Sequence, residues 1–582
     1  MSPPSLAANA SNQRLDWLYI AIVLLGILTV GRLFYIQIIQ HGDFARLAAN
    51  EHQRKYEVPA DRGQIYLLDG DTKVPLALNQ QLKLLYADPS IVTNKRRTAE
   101  QLAKITGQPA EKYVNAMEKG KEYALLETKI NAKTADKIKA LRLRGIGFKD
   151  QTFRTYPEGS LASQVLGFVN ADGKGQYGVE GFLNKELGGQ PGHLNAKTDT
   201  NGVPIASSDN LDRAPVRGTN VVLTIDRSVQ AQAEKFLAEG VINVKAESGS
   251  VIVMDPNTGA VKAMANYPTF DPNDYSKVTD YRVFSNAIVS DNFEPGSVFK
   301  LFTVAAGLDS HKITPNSTYN DTGCEKIDNY NVCNAENHKL GPNTTMTVVL
   351  RDSLNTGVMY ILKLMGSDPA TITKASKQAL HRYITQRFRF GQRTGIEQAG
   401  EAAGFVNPTT TSNVTYANMS FGQGISVTTL QTATAISAIA NGGKLYKPYL
   451  VEKYITADGS EVAARPKVVN PHVISTQAAK DLGIMMEVVV HRGSGYRAYT
   501  PGYKIAGKTG TAQIANPNGP GYLPDKNIGT FAGFAPVEDP KFVVMVRINK
   551  PNTPGFAEVT TVPVFANLTR WLLQYYAVPP SG

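Results

Sequence analysis

The sequence predicts an α+β protein with three parts: an N-terminal membrane anchor, a middle domain, and a C-terminal domain built on an antiparallel sheet with helices. Three observations predict this. A long apolar run lies near the N-terminus, short strand and helix patterns alternate up to residue 218, and strand patterns stand at both ends of residues 219–582 with helices between. The 582 residues are 42% hydrophobic, enough for about three or four domains.

Charge and cysteine content exclude some function classes. The net charge is +11, but Lys and Arg are spread along the chain rather than clustered, which argues against nucleic-acid binding. A basic exterior instead suits an anionic membrane or cell-wall polymer. With only two cysteines, the fold does not depend on a disulfide framework.

The apolar run from Leu15 to Ile39 predicts a transmembrane anchor after a polar tail of residues 1–14. A cleaved signal peptide and a buried core helix are the alternatives. No small-x-small cleavage site follows the run, so we expect the helix to be retained. Charge does not fix the orientation, because Arg14 is offset by Asp16.

Residues 40–218 predict an interaction or spacer domain with no active site, since Cys, His and acidic residues do not cluster there. Strand patterns and charged helical patterns alternate in this region. The predicted strands are Gln64–Leu68 and Lys83–Ala87, and the predicted helices are Ala99–Ile105, Ala110–Gly120 and Ala132–Leu141.

Residues 219–582 predict one α+β domain whose sheet is closed by strands from its two ends. The predicted strands are Asn220–Ile225, Ser250–Met254, Ala260–Ala265, Tyr503–Thr511, Thr530–Pro536 and Phe542–Ile548. A helix from Asp226 to Leu237 and a last helix from Val564 to Tyr575 complete the pattern.

Ser297 and Lys300 open an apolar, and therefore buried, helix that follows Pro295 and Gly296. Their spacing places both side chains on one helix face. The helix dipole and the dry surroundings disfavour an ammonium group, so we expect a lowered pKa for Lys300. A neutral amine beside a hydroxyl is a base next to a nucleophile, although a lone serine at a helix start is more often a cap.

Two later polar clusters accompany this pair. Ser353 and Asn355 lie between helical runs, where a short loop can direct both side chains into a cleft or simply cap the next helix.

The last polar cluster, Lys508-Thr509-Gly510-Thr511, lies on a predicted edge strand. Such a strand can bind an extended peptide and offer a cation and hydroxyls to a carboxylate. A charged edge that discourages aggregation is the alternative.

In the order Ser-x-x-Lys, Ser-x-Asn, Lys-Thr-Gly, the three clusters resemble the signature of the penicillin-interacting acyltransferases. The whole chain resembles a class B penicillin-binding protein, the monofunctional peptidoglycan D,D-transpeptidase type. Further family motifs are Arg62-Gly63-Gln64-Ile65, Arg154 to Gly159, Gly178-Val179-Glu180 and Leu223-Thr224-Ile225-Asp226. Leu67-Leu68-Asp69-Gly70 departs from the family's Asp-Arg-Asn-Gly, which affects the pedestal rather than the chemistry.

This resemblance implies the penicillin-binding transpeptidase fold on an elongated pedestal domain. Residues 1–14 would form a cytoplasmic tail, 15–39 the single membrane anchor, 40–218 the pedestal, and 219–582 an extracytoplasmic transpeptidase domain.

The resemblance also implies roles for the site residues. Lys300 would take the proton of Ser297, which attacks a D-Ala-D-Ala stem peptide. The amides of Ser297 and Thr511 would form the oxyanion hole. Ser353 would relay a proton to the leaving D-alanine while Lys508 keeps the local field positive.

The remaining motif positions would bind the donor. Asn355 would hold Lys300 and the substrate amide, and the strand Thr509-Gly510-Thr511 would bind the substrate with its two hydroxyls on the terminal carboxylate. No cofactor or metal is implied, and β-lactams would acylate the nucleophile.

Gly400 to Gly404 and Ser420 to Thr428 look like the septal branch of the family rather than the elongation branch. The partners then implied are peptidoglycan stem peptides, the membrane, a SEDS-type glycan polymerase and divisome proteins. Two rival functions remain: a D,D-carboxypeptidase or β-lactamase of the same fold, and a non-catalytic β-lactam sensor or scaffold.

Cys324 and Cys333 leave three interpretations open. A disulfide suits an oxidising exterior, free thiols are the second possibility, and a metal site with Asp321 and His338 is the third.

Overall fold

The computed structural model describes residues 9–44, 53–197, 210–516, 519, 521–553 and 556–581. The chain divides into two compact units, Met1–Asp61 with Gly189–Arg217, and Arg62–Gly188 with Gly218–Gly582. The predicted domain limits stay predictions, and the first eight residues of the predicted tail lie outside the described residues.

The first unit contains the predicted anchor. An α-helix, Asn9–Phe34, continues into a π-helical turn, Tyr35–Ile39, and the stretch Leu15–Ile39 is long and apolar enough to cross a membrane. Its large apolar side chains are exposed, as expected for lipid-facing positions. The unit also has a three-stranded antiparallel sheet, formed in order by Gln53–Val58, Gly192–Lys197 and Asn210–Arg213.

The second unit contains two large sheets. The seven-stranded one runs in the order Glu461–Ala463, Val451–Ile455, Asn220–Asp226, Ile65–Asp69, Thr72–Ala87 and Ala124–Ile130, with Ile146–Thr155 also paired to Thr72–Ala87.

Within that sheet, Asn220–Asp226 lies parallel to Ile65–Asp69. The expectation that residues 220–225 join the C-terminal sheet is therefore wrong. Positions 221–225 are all buried, as in a strand that is covered on both faces. Because apolar and polar residues do not alternate there, the sequence pattern could not reveal which strand pairs with this one.

Three helices cover the far end of the seven-stranded sheet. They are Lys95–Thr106, Ala110–Lys119 and Ala132–Ala140, within a few residues of the predicted limits. Leu102, Tyr113 and Met117 belong to a small core of their own beneath these helices.

A buried carboxylate joins three of the family motifs. Glu180 is fully buried and accepts hydrogen bonds from Arg62 Nε at 2.7 Å and Arg154 Nε at 2.8 Å. Arg62 Nη1 also donates to Asn184 at 3.0 Å. Removing this carboxylate would leave two guanidinium groups in poor contact with water, so it stabilises this part of the fold.

The five-stranded sheet is antiparallel throughout. Its order is Val261–Tyr267, Ser248–Met254, Phe542–Asn549, Tyr522–Ala535 and Ala506–Ala515. The outermost strand, Ala506–Ala515, is the edge strand that the sequence predicts for the Lys-Thr-Gly cluster.

Helices cover both faces of this sheet, because alternate residues of its strands point to opposite sides. Ile252 packs in the core that contains Lys300–Asp309 and Thr429–Ala440. Val251 packs in the core that contains Arg227–Asn243 and Val562–Tyr575.

The other helices of the second unit are Ser163–Leu166, Gly178–Phe182, Asn184–Gly188, Ala287–Ser290, Met346–Arg351, Asn355–Met365, Lys374–Arg382, Asn413–Ser420, Thr476–Arg492 and Ala557–Thr560. Its short strands are Phe168–Val169, Gly175–Gln176, Thr318–Asp321, Cys324–Ile327, Tyr330–Cys333, Gly341–Thr345, Phe405–Val406, Ile425–Ser426, Leu445–Tyr446 and Val468–Asn470.

Candidate active site

Ser297 lies in a 3₁₀ turn, Gly296–Phe299, and the α-helix itself begins at Lys300. The sequence predicts one helix through both residues, whereas the structure has a tighter turn first. In a 3₁₀ turn side chains three positions apart eclipse each other, so this turn is compatible with the predicted alignment of Ser297 and Lys300.

Lys300 is fully buried and binds the Ser353 loop. Its Nζ donates to the carbonyl oxygen of Ser353 and, at 3.1 Å, to Ser353 Oγ. Within the described residues, no hydrogen bond joins Ser297 Oγ to Lys300 Nζ. Burial, and then the nearby positive charge of Lys508, hold the pKa of Lys300 well below its ordinary value, which favours the neutral amine that a base requires.

Ser353 stands between two lysines. Its Oγ accepts from Lys300 Nζ at 3.1 Å and from Lys508 Nζ at 3.0 Å. Its φ is +58°, in the left-handed region that residues other than glycine rarely adopt. Such a strained residue at the meeting point of two buried lysines indicates that the backbone is bent to place this hydroxyl.

Lys508 extends from the edge strand and is also fully buried. Besides Ser353, its Nζ donates to Thr509 O at 3.0 Å and to Thr509 Oγ1 at 3.3 Å. Burial lowers the pKa of Lys508 to about 7, against the raising effect of Glu558 and Asp352. Lys508 therefore supplies a positive charge that changes near neutral pH.

Glycines let the nucleophile turn approach the edge strand closely. A Cβ on Gly296, whose φ is +58°, would lie 2.6 Å from Thr511 O. A Cβ on Gly510 would lie 2.4 Å from Thr530 Oγ1 and 2.9 Å from Pro295 O. This contact brings the backbone next to Ser297 against Thr511, the two residues whose amides are expected to bind an oxyanion.

Asn355 begins the helix Asn355–Met365, and its side chain differs from expectation. Its Nδ2 donates to the carbonyl oxygen of Cys333 at 2.8 Å, rather than binding Lys300. The asparagine is thus held by the hairpin of Cys324–Ile327 and Tyr330–Cys333. Sequence spacing could not reveal this contact, because it joins residues 22 positions apart.

Cys324 and Cys333 form a disulfide across this hairpin, where they are directly paired. The interpretations as free thiols and as a metal site are therefore wrong. Asp321 accepts hydrogen bonds from the Leu340 amide at 2.9 Å, Asn334 Nδ2 at 3.0 Å and Thr356 Oγ1 at 2.8 Å. Its carboxylate serves these neighbours instead of a metal ion.

The two threonines of the edge strand have different surroundings. Thr509 Oγ1 lies 2.7 Å from Ser494 Oγ. Thr511 is half-buried, and its Oγ1 accepts from the Ala557 amide at 3.4 Å. Sequence reasoning missed Ser494, although its position between two glycines in a polar Gly-Ser-Gly segment is a weak signal for a tight functional loop.

Together these residues form a site suited to acyl transfer. A serine and a buried lysine that favours the neutral state can act as a nucleophile and a base. A second hydroxyl between two lysines can pass a proton, and a cationic edge strand with hydroxyls can hold an extended anionic peptide.

Comparison with known families agrees with this chemistry. Residues 249–570 match the penicillin-binding protein transpeptidase domain, and residues 57–223 match the penicillin-binding protein dimerisation domain. The first match alone covers more than half of the chain. The chain belongs to the penicillin-binding proteins.

Relatives match this penicillin-binding protein along nearly its whole length. Stage V sporulation protein D of Bacillus subtilis is 32% identical over 94% of this chain and 83% of its own. Peptidoglycan D,D-transpeptidase FtsI of Escherichia coli K12 is 31% identical over 99% of this chain and 94% of its own.

Solved structures also match. Penicillin-binding protein 3 of Mycobacterium tuberculosis, complexed with aztreonam, has a TM-score of 0.70 and 28% identity, covering 90% of this chain and 98% of its own. The same protein complexed with ampicillin gives a TM-score of 0.70.

Proposed function

We propose that this penicillin-binding protein is a peptidoglycan D,D-transpeptidase that cross-links stem peptides through an acyl-enzyme on Ser297, and that it is a target of β-lactams. The observation that carries the proposal is the fully buried Lys300, whose lowered pKa favours a neutral amine one helical turn from the serine. Relatives named as peptidoglycan D,D-transpeptidases support the choice of substrate.

In the acylation step, Lys300 Nζ takes the Ser297 proton while Ser297 Oγ attacks the carbonyl carbon of the D-Ala-D-Ala bond. The amides of Ser297 and Thr511 stabilise the oxyanion, each worth roughly 3–4 kcal/mol in comparable enzymes. The C–N bond then breaks, and the leaving D-alanine amine receives a proton through Ser353, which accepts hydrogen bonds from both lysines.

In the second step, the amine of a neighbouring stem peptide attacks the ester carbon. Its excess proton returns through the Ser353 and Lys300 pair, the ester C–O bond breaks, and Ser297 regains its hydrogen. The product is a new peptide cross-link. A β-lactam would acylate Ser297 in the same way, because its strained amide imitates the D-Ala-D-Ala bond.

The test uses the purified full chain with lipid-linked glycan carrying stem peptides. We expect cross-linked products from the wild type and none from Ser297→Ala. Ser310→Ala, at the other end of the same helix, is the matched control and should cross-link normally. Cross-links that persist in Ser297→Ala would overturn the proposed nucleophile.

The same assay separates the rival functions. A carboxypeptidase would hydrolyse the stem peptide and release D-alanine, and a β-lactamase would release the hydrolysed β-lactam. Neither would form a dimeric product when acceptor amine is present. A sensor would become labelled at Ser297 but would not turn over any stem peptide.

We further propose a single-pass topology with the N-terminus in the cytoplasm and residues 219–582 outside, and a septal role with a SEDS-type polymerase and divisome partners. The apolar helix Leu15–Ile39 and the septal-type segments at 400–404 and 420–428 support this. Protease digestion of intact spheroplasts should remove the C-terminal domain. Protection of that domain would contradict the topology, and failure to co-purify a membrane glycan polymerase would contradict the partnership.

A further inference from the structure

Ser494 lies in a loop that packs tightly against the stem of the Ser353 loop. The helix Thr476–Arg492 ends just before it, and Gly493 follows so closely that a Cβ there would lie 2.8 Å from Arg351 O. A Cβ on Gly495 would lie 3.3 Å from the Phe531 ring. Because a Cβ at Gly493 would collide with the Arg351 backbone and a Cβ at Gly495 would be a tight fit, the loop packs closely on both sides of the Ser494 hydroxyl.

That hydroxyl is paired with Thr509. Ser494 Oγ and Thr509 Oγ1 are 2.7 Å apart, and either can donate to the other. Thr509 Oγ1 also accepts from Lys508 Nζ at 3.3 Å. Thr509 is 5% exposed, whereas Ser494 is only half-buried and so keeps contact with solvent.

The Ser494–Thr509 pair has one hydroxyl hydrogen available for a further hydrogen bond. Two hydroxyl groups carry two hydrogens, and only one is used between them. If Ser494 donates, the two acceptor positions of Thr509 Oγ1 are filled by Ser494 and Lys508, and the Thr509 hydrogen must point elsewhere. If Thr509 donates instead, the Ser494 hydrogen is left. In both cases one O–H is spare, and accepting a bond from a cation makes it a stronger donor.

A spare hydroxyl hydrogen beside a lysine suits a carboxylate. We infer that Ser494 is a further binding residue for the donor peptide, and that the Ser494–Thr509 pair presents one hydroxyl hydrogen, reinforced by Lys508, to the terminal carboxylate. The inference rests on the proposed transpeptidase function, since it names how the same site recognises its donor.

The test measures second-order acylation rates of the full chain with benzylpenicillin and with its methyl ester, which lacks the carboxylate charge. For Ser494→Ala we expect about a tenfold slower reaction with benzylpenicillin, equivalent to about 1.4 kcal/mol, and little change with the ester. Ser494→Thr, which keeps the hydroxyl, should restore the wild-type preference.

Ser475→Ala is the matched control, because this hydroxyl caps the other end of the same helix by accepting from the Ala478 amide at 3.2 Å. It should lower thermal stability without altering the ratio of the two rates. A Ser494→Ala variant that loses both reactions equally, or neither, would overturn the inference. If wild-type protein is not acylated at all, the proposed function fails instead.

Discussion

At the scale of single residues, the site depends on two buried lysines that share one hydroxyl. Both Lys300 and Lys508 are inaccessible to water, and both donate to Ser353 Oγ. Burying two like charges so close together is unfavourable, so the positive charge of Lys508 favours the neutral state of Lys300. The site thereby keeps a base available at a pH where an exposed lysine would be protonated.

Lys508→Gln should shift the pH dependence of acylation. In the wild type, the positive charge of Lys508 lowers the pKa of Lys300. Lys508 carries this charge below its own pKa of about 7. Removing it raises the pKa of Lys300, so the acid limb of the acylation profile should move to higher pH. The measurement is the β-lactam acylation rate from pH 5 to 9.

Lys504→Gln is the control for that experiment, because this exposed lysine pairs with Glu538 nearby on the surface. Its profile should match the wild type. An acid limb that stays in place or moves to lower pH in Lys508→Gln would show that the two lysines are not electrostatically coupled.

Two substitutions of Ser353 distinguish the effect of its backbone strain from the effect of its hydroxyl. Ser353→Gly and Ser353→Ala both remove the shared hydroxyl, so each should slow acylation by about 10²–10⁴-fold. Only glycine tolerates φ +58° without cost, so the glycine variant should be more stable than the alanine variant by about 1 kcal/mol. Thermal unfolding checks this, and an alanine variant equal to or more stable than the glycine variant would contradict it.

At the scale of elements, the site depends on how closely the nucleophile turn meets the edge strand. A Cβ at Gly296 would lie 2.6 Å from Thr511 O, which is closer than real Cβ contacts allow. The turn and strand would have to separate, and the two amides expected to bind the oxyanion would move apart.

Gly296→Ala should therefore slow acylation by about 10²–10³-fold and destabilise the fold. Gly70→Ala is a matched control, because Gly70 has the same φ of +58° but no atom within 4 Å of the added Cβ. It should cost about 1 kcal/mol of stability and leave acylation unchanged. Equal acylation in the two variants would show that the close contact is not needed.

Most elements near the site could be predicted from the sequence, since their patterns are local. The predicted helix from Val564 to Tyr575 is observed as Val562–Tyr575. The strand that contains Lys508 lies at the edge of its sheet, as predicted. Contacts between distant segments could not be predicted. The pairing of Asn220–Asp226 with Ile65–Asp69 and the bond of Asn355 to Cys333 depend on tertiary packing that no local pattern encodes.

At the scale of the whole molecule, the second unit joins residues from both family domains in one body. Gln398, within residues 249–570, donates from Nε2 to the carbonyl oxygen of Val165, within residues 57–223, at 2.9 Å. Glu180, also within residues 57–223, is buried between Arg62 and Arg154. Buried ionic clusters of this kind are costly to break, because the remaining charges lose their partner.

Glu180→Gln should therefore lower stability by about 3–5 kcal/mol, seen as a lower unfolding temperature. Acylation of the folded protein should be unchanged, since no site residue contacts Glu180 in the described structure. Glu111→Gln, which breaks an exposed ion pair with Arg96, should leave the unfolding temperature as it is. A Glu180→Gln protein as stable as the control would show that the cluster does not hold this body together.

The most direct test of the central claim is peptide mapping by mass spectrometry after brief reaction with benzylpenicillin. We expect one added ligand on the peptide containing Ser297 in the wild type, and none within the same time in Lys300→Ala. Ligand on any other residue, or undiminished labelling of Lys300→Ala, would contradict the claim that a neutral lysine activates this serine.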